Sequence, residues 1–155
     1  MLSNLDSIDK KILKTLQEDA SLSATDLGDL VGLSQAACWR RIQRLETEGY
    51  IKKRVALLDP AKIGLGTIVL AHVKLSAHGR AHLDDFAEKI RSLPNVLECF
   101  VILGDQDFFL KIAVNDIYEY ERLFFEKLSA LDGVSEIRSS IALTQIKNET
   151  ALPIN

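Results

Sequence analysis

The sequence has few of the residues that mark secreted, disulfide-bonded or membrane proteins. It contains two cysteines in 155 residues, Cys38 and Cys99, and no CxxC pair. Free thiols in a reducing compartment fit this number better than a disulfide, although a Cys38–Cys99 pair is also compatible with the sequence. Apolar runs stay below the roughly eighteen residues of a membrane span, and the first residues lack the apolar core of a signal peptide. We expect a soluble, cytoplasmic protein that has no membrane partner.

Patterns that mark enzymes, bound cofactors and metal sites are also missing. The sequence has no Gly-rich phosphate loop and no nucleophile elbow with Ser, His and Asp partners. His78 and His82 stand four residues apart, as two metal ligands on one helix would. Only Asp85 lies near enough in sequence to add a third ligand, so an exposed helix start is the simpler interpretation. We predict no catalytic residues, no metal site and no bound cofactor.

What the sequence does contain is a two-helix pattern over residues 23–47. Ser23 can cap the first helix, with Asp26 completing a capping box, and Gly32 ends that helix. Ser34 can cap the second helix. The inner face of that helix carries three apolar residues, Cys38, Ile42 and Leu45. Two helices joined by such a short turn are typical of the helix-turn-helix motif, whose second helix can enter the DNA major groove.

Basic residues strengthen the interpretation that this module binds DNA. The whole chain has a net charge of −3, but residues 38–54 hold six basic residues and two acidic ones. Contact with DNA phosphates requires such a local cationic strip. We assign base contacts to the first two turns of the second helix, and phosphate contacts to its end and to an extended ribbon, or wing, predicted over residues 50–58. The predicted DNA-contacting residues are Ser34, Gln35, Ala36, Trp39, Arg40, Arg41, Arg44, Lys52 and Lys53. For Trp39, packing against the preceding helix is an equally good alternative.

The sequence divides into two domains. Residues 1–58 form the first, residues 59–66 a linker that begins at an Asp-Pro break, and residues 67–155 the second. A helix that begins near Asp6 supplies the third side of the first domain's core. The other predicted core residues of this domain are Leu27, Leu30, Leu33, Ile42 and Leu45.

The second domain alternates strands and helices. Its order βαββαβ is that of a ferredoxin-like sandwich, so the predicted fold class is α+β, with a winged helix-turn-helix preceding the sandwich. The predicted strands cover residues 67–75, 96–103, 108–114 and 134–145, and the predicted helices cover residues 78–93 and 117–131.

The helices of such a sandwich cover only one face of its sheet. The predicted strands carry apolar residues on both faces, which would leave a large apolar patch exposed to water. The same sheet of a second subunit is the economical cover. A two-fold dimer would also present two recognition helices to successive turns of the major groove. We therefore predict a homo-oligomer built from dimers.

Several stretches together resemble the Lrp/AsnC, or feast/famine, family of transcriptional regulators over essentially the whole chain. They are LDSIDKKILKTLQEDA, LGDLVGLSQAACWRRIQRLETEGYI, VALLDPAKIGLG, GDQDFFLKIAV and SSIALTQIKNETALPI. The pieces ACWRRIQRLE, ALLDP and LPI are similar to a subgroup that includes a cysteine-responsive regulator of cysteine detoxification. The resemblance implies a regulator of amino-acid metabolism whose C-terminal ligand-binding domain dimerises through its sheets. It also implies assembly of four dimers into an octamer and a free amino acid, cysteine or a leucine-like one, as effector.

The resemblance further implies that the effector binds at a Gly-Asp-x-Asp loop, which Gly104, Asp105 and Asp107 match here. Carboxylates suit the ammonium group of an amino acid, and loop amides suit its carboxylate. The same residues also favour an ordinary hairpin turn for backbone reasons. The residues predicted to shape the side-chain pocket are Val101, Ile102, Ser140, Ile141 and Ala142. Asp107→Ala is expected to abolish the effector response and to leave DNA binding intact.

Three considerations qualify the transfer from the family. The recognition helix of the family usually begins Ser-Pro-x-Pro-Cys, whereas residues 34–38 read Ser-Gln-Ala-Ala-Cys, so the base contacts of relatives do not carry over directly. Sirohaem decarboxylases share the architecture, but their tetrapyrrole pocket needs His and Arg, which are few on the C-terminal strands. A DNA organiser of the nucleoid type, without an effector, is the other alternative.

Overall fold

Three helices build the N-terminal part of the chain. The computed structural model describes residues 5–81 and 83–154, except for the side chain of Arg80. Helix α1 spans Ser7–Glu18, α2 spans Ala24–Val31, and α3 spans Gln35–Thr47. Capping boxes close the starts of α1 and α2, where Asp6 and Ser23 each exchange hydrogen bonds with an aspartate three residues on. The predicted caps at Ser23 and Ser34 and the stop at Gly32 are confirmed.

The three helices share one apolar core. Its buried residues are Ile12, Leu13, Leu16, Leu27, Val31, Cys38, Ile42 and Leu45. The prediction that Leu30 belongs to this core is wrong, since its side chain is 54% exposed. Gly28 explains the difference: it is buried, and a Cβ at this position would lie 2.8 Å from the Leu33 carbonyl oxygen. The close approach at Gly28 turns the buried stripe of α2 toward Val31 and away from Leu30.

The segment after α3 does not form the predicted ribbon. Residues 52–59 have no regular secondary structure, so no strand pairing fixes a wing in this part of the chain. A short 3₁₀ helix, Ala61–Ile63, follows. The N-terminal part is therefore a helix-turn-helix with an irregular basic segment behind it.

The C-terminal part is an antiparallel sheet with helices on one face. Its strands are β1 (Thr67–Leu75), β2 (Val96–Val101), β3 (Phe108–Val114) and β4 (Val134–Ile141), in the spatial order β2-β3-β1-β4. The helices are α4 (Ala77–Arg80), α5 (Leu83–Arg91) and α6 (Ile117–Leu123), the last continued by a π-helical turn, Phe124–Leu128. The predicted α+β class and βαββαβ order are confirmed.

Four predicted elements differ from those observed, and one of them, the helix predicted over residues 117–131, ends with the π-helical turn at Leu128. The helix predicted over residues 78–93 is two helices, α4 and α5, and Gly79, a poor helix former, lies in the first. His82 lies outside the described residues. Strand β2 stops at Val101, where the loop to β3 begins. Strand β4 stops at Ile141, although the Ala142 N–H still donates to the Ile68 carbonyl of β1 at 2.9 Å.

The two faces of the sheet differ in composition. The helix-covered face is apolar, with Val69, Val73, Leu110 and Ile112 almost fully buried. The other face is mixed, and cross-strand partners define its rows. One row reads Arg138, His72, Phe109 and Phe100, and the next reads Ser140, Leu70, Lys111 and Glu98. The predicted apolar residues are present on this face as well, but polar and charged residues lie among them.

The end of the chain does not remain with the sheet. One compact unit comprises residues 5–57 together with 147–154, and the other comprises residues 58–146. Gln17 donates its amide N–H to the Leu152 carbonyl at 3.1 Å and accepts the Leu152 backbone N–H at 2.7 Å. Ile154 packs against the core of the three helices. The domain predicted over residues 67–155 thus ends earlier in this structure.

No described helix is long and apolar enough to cross a membrane.

Candidate DNA-binding and effector sites

Helix α3 presents one continuous exposed face. Gln35, Ala36, Trp39, Arg40 and Gln43 are all exposed, and their spacing of i, i+1, i+4, i+5 and i+8 places them on one side of the helix. Trp39 is 55% exposed, so more than half of its side chain is accessible for contact with DNA. Such a face, polar with one aromatic and one cation, suits the edges of base pairs.

Ser34 has a local role at the start of this face. Its hydroxyl accepts the Ala37 backbone N–H at 3.4 Å as the N-cap of α3. The same hydroxyl that is predicted to contact DNA therefore also caps α3.

Arg41 and Arg44 do not lie on the exposed face. They turn toward α1, where Asp9 is 1% exposed. Nη1 of Arg41 donates to Oδ1 of Asp9 at 2.7 Å and to Oδ2 of Asp6 at 2.6 Å. Nη2 of Arg44 donates to Oδ2 of Asp9. Both arginines are predicted DNA contacts, but in this structure they bind a buried carboxylate on the neighbouring helix.

The charges of this cluster shift one another's pKa. The pKa of Asp6 is lowered, first by the hydrogen bond from the Asp9 backbone N–H and then by the Arg41 guanidinium. The pKa values of Arg41 and Arg44 are raised by their bonds to Asp6 and Asp9. These shifts favour the charged forms of the Asp6 carboxylate and of both guanidinium groups.

The basic segment behind α3 keeps exposed cations. Lys52 and Lys53 are exposed and form no ion pair with another described residue. Arg54, by contrast, pairs with Glu46 of α3 at 3.0 Å. The other carboxylate oxygen of Glu46 accepts from Gln43, also at 3.0 Å. Glu46 thus links Gln43 and Arg54, two residues that the predicted set of DNA contacts omits.

The predicted effector loop lies between β2 and β3. Gly104 has φ of 151°, a conformation that favours glycine, and Asp105 is exposed. Asp107 is tied to strand β1: its backbone N–H donates to the Val73 carbonyl at 2.9 Å, and its Oδ2 accepts the Leu75 N–H at 2.7 Å. Asp107 therefore has a structural role in addition to the predicted one.

The structure brings some of the predicted pocket residues to this loop and not others. Val101 ends β2 beside it, and the Ile102 N–H donates to the Asp107 carbonyl at 3.0 Å. Ser140, Ile141 and Ala142 pair with or bond to the first half of β1, whereas Asp107 bonds to Val73 and Leu75 near its end. At about 3.3 Å per residue, these groups are on the order of 10 Å or more apart along the strand. Within one subunit they do not form a single pocket.

One residue of the loop and two residues beside it were missed by the sequence prediction. Glu136 and Arg138 of β4 form an ion pair at 2.7 Å, which is the first cause of the lowered pKa of Glu136. Gln106 hydrogen bonds to Glu136 as well, while its Oε1 is buried without a partner among the described residues. Only the cross-strand register places β4 beside the loop, and local sequence patterns do not contain that register. Within the described residues, no group of three or more His, Cys, Asp or Glu side chains is placed to hold a metal ion.

Both parts of the chain match known domain families. Residues 5–46 match the AsnC-type helix-turn-helix domain, and residues 68–152 match the Lrp/AsnC ligand binding domain. The chain belongs to the Lrp/AsnC family. Among curated relatives, the glutamate uptake regulatory protein of Zymomonas mobilis is 40% identical over 154 residues, which cover 99% of this chain and 93% of that protein. The DNA-binding transcriptional activator DecR of Escherichia coli is 37% identical over 150 residues, covering 97% and 99%.

Solved structures agree with this assignment. A transcriptional regulator from Neisseria meningitidis in complex with L-Met has a TM-score of 0.93 and 35% identity, and 98% of each chain is covered. An AsnC family transcriptional regulator from Agrobacterium tumefaciens has a TM-score of 0.91 and 38% identity, covering 96% and 97%. The Lrp/AsnC protein described here is thus a DNA-binding transcriptional regulator and not an enzyme, which removes the decarboxylase alternative.

The two cysteines are free, Cys38 buried and Cys99 exposed.

Proposed function

We propose that this Lrp/AsnC protein controls transcription as a homo-oligomer whose DNA binding responds to a free amino acid. The observation that carries the proposal is the exposed face of α3, with the cations that follow it in sequence. Gln35, Ala36, Trp39 and Arg40 reach base edges in the major groove, and Lys52 and Lys53 hold phosphates.

The bare face of the sheet supports assembly with a second copy. Phe100 is 50% exposed at the end of a row in which its ring lies 6.3 Å from that of Phe109. Around this apolar centre stand charged pairs such as Glu98–Lys111 at 2.9 Å. An apolar centre with a polar rim is the usual anatomy of a protein interface. A two-fold dimer through this face is therefore proposed, with four dimers in an octamer as the family resemblance implies.

The effector is proposed to bind at the loop over residues 104–107. Asp105 is exposed there, and the buried Oε1 of Gln106 is an acceptor without a partner among the described residues. Both could accept from an ammonium group. Cysteine is the first candidate because of the subgroup resemblance. L-Met is the second, because a relative of 35% identity was crystallised with it.

The deciding experiment combines ligand screening with DNA binding. Thermal melting of the full chain is measured with each of the twenty amino acids, since a ligand that binds the native state raises the midpoint. DNA affinity is then measured at fixed salt with and without each stabilising amino acid, on a duplex selected by the protein from a random pool. A melting shift together with a changed affinity supports the proposal. No change with any amino acid would leave an effector-independent DNA organiser.

Oligomeric state is tested separately by light scattering. Phe100→Asp is expected to reduce the mass to that of the monomer. Tyr118→Asp is the control, because Tyr118 is an even more exposed aromatic and lies on α6, away from this face of the sheet. If both variants keep the wild-type mass, the sheet does not form the interface.

A further inference from the structure

The two arginines on the inner side of α3 have a use that differs from DNA contact. We propose that Arg41 and Arg44 are positioning residues, which hold the recognition helix against α1 through Asp9 and Asp6 and do not contact DNA. The inference rests on the DNA binding proposed above and assigns a different role to two of its expected contacts.

The first argument is the matched spacing of the two pairs. Asp6 and Asp9 are three residues apart at the start of α1, and Arg41 and Arg44 are three residues apart on α3. Residues three apart lie on the same face of a helix, so two acids face two bases across the helix pair. The observed bonds follow this arrangement, with Arg41 bridging Asp6 and Asp9 and Arg44 bound to Asp9.

The second argument is the burial of the acceptor. Asp9 is 1% exposed, and its two oxygens accept from both arginines and from the Asp6 backbone N–H at 3.2 Å. Removing one partner of a buried ion pair is strongly destabilising, because the other partner then lies in a poorly solvated place without its counter-charge. Arg41 and Arg44 are 29% and 38% exposed, so neither is free to leave for a phosphate without that cost.

The third argument is that the ion pairs of Arg41 and Arg44 fix the position of α3 against α1. The exposed residues of α3 project from the side of the helix that Arg41 and Arg44 do not occupy. Rotation or sliding of α3 against α1 would displace Trp39 and Arg40 from the base edges they are proposed to read. A planar guanidinium that bridges two carboxylates limits both movements, which a single ammonium cannot do as well.

The test compares Arg41→Gln with Lys52→Gln, which remove the same charge from the same unit. Binding is measured on the duplex selected by the wild-type protein and on a shuffled duplex of equal length, from about 50 to 200 mM salt. Lys52→Gln should reduce the salt slope by about 0.9 for each phosphate that the side chain no longer neutralises, and it should leave the ratio of the two affinities unchanged. Arg41→Gln should leave the slope unchanged and lower the affinity ratio about tenfold. Arg41→Lys should lower the ratio as well, although it keeps the charge.

The outcomes separate three roles for Arg41. A reduced slope in Arg41→Gln would show a direct phosphate contact and overturn the inference. An unchanged slope and unchanged ratio in a folded variant would show that the cluster only stabilises the fold, which also overturns it. If the wild-type chain binds neither duplex, the proposed function itself fails.

A milder variant covers the case in which Arg41→Gln does not fold. Asp6→Asn keeps an N-cap acceptor on α1 and removes one carboxylate from Arg41. We expect a lower affinity ratio with no steeper salt slope. A steeper slope with higher affinity for both duplexes would mean that the freed arginine binds DNA, and would refute the positioning role.

Discussion

Replacing Asp107 should damage the fold as well as any effector response. Its carboxylate accepts the Leu75 N–H at 2.7 Å, where the register between β1 and β4 shifts. Hydrogen bonds to charged groups contribute about 1.5–3 kcal/mol. For a unit the size of residues 58–146, each kcal/mol lowers the melting midpoint by about 4–8 °C. We therefore expect Asp107→Ala to melt roughly 10 °C below the wild type, which weakens it as a selective test of effector binding.

Asp105 offers the cleaner test of the same loop. Its side chain is exposed, so Asp105→Asn should change the free energy of unfolding by less than about 0.5 kcal/mol. Asp107→Asn keeps an oxygen acceptor for the Leu75 N–H and should lie between the wild type and Asp107→Ala. Melting of the four proteins is followed by calorimetry with and without the amino acid that stabilises the wild type. At a concentration of about 100 times Kd, that ligand adds roughly 2.7 kcal/mol to the wild type.

Two results would refute this reasoning. Asp107→Ala melting within about 2 °C of the wild type would show that the bond to Leu75 contributes little. Asp105→Asn keeping the full ligand-induced shift would show that its carboxylate does not bind the effector. The expected result is a normal melting midpoint for Asp105→Asn without ligand, and an absent or much reduced shift with it.

Three further predictions concern the helix-turn-helix unit. Leu45→Ala, at a fully buried position, should destabilise the unit by about 2–5 kcal/mol in denaturant titrations. Gly32→Ala places a side chain at φ of 77° and should cost about 1 kcal/mol, whereas Ala24→Gly, in the first turn of α2, controls for helix propensity. The pKa values of Asp6 and Asp26 are lowered in the folded chain, so the stability they contribute is complete above an ordinary carboxyl pKa of about 3.9. That stability should be lost as the pH falls below it, and Asp26→Asn should flatten the acid limb of the pH–stability curve.

Features that depend on neighbouring residues could be predicted from the sequence. The caps at Ser23 and Ser34 and the stop at Gly32 are local signals, because each acts within one turn of its own helix. Strands β1 and β3 have the predicted ends, since turn residues bound both apolar runs. The burial of Cys38, Ile42 and Leu45 followed from helical spacing alone.

Features that depend on residues far apart in the sequence could not be predicted in this way. Gln17 hydrogen bonds to Leu152, which lies 135 positions further along the chain, and no local sequence pattern predicts this bond. The separation of Ser140 from Asp107 follows from the register of β4 on β1. A resemblance to a family supplies which residues belong to a site, but it does not say which subunit provides them. If the effector pocket uses both groups, the proposed oligomer must bring Ser140 of one copy to the loop of another.

The cations near α3 show how a helix projection can mislead an argument from charge. Residues 38–54 contain six basic residues, and the sequence alone gives no reason to exclude any of them from contact with DNA. In the structure Asp6 and Asp9 hold Arg41 and Arg44, and Glu46 holds Arg54. Arg40 remains for a base edge, and Lys52 and Lys53 remain for phosphates, so this segment should contribute about two phosphate contacts, or a salt slope of roughly 1.8, per bound subunit. A larger contribution would require one of the internal ion pairs to open on DNA, and a reduced slope in Arg41→Gln would then show that the pairs of Arg41 do so.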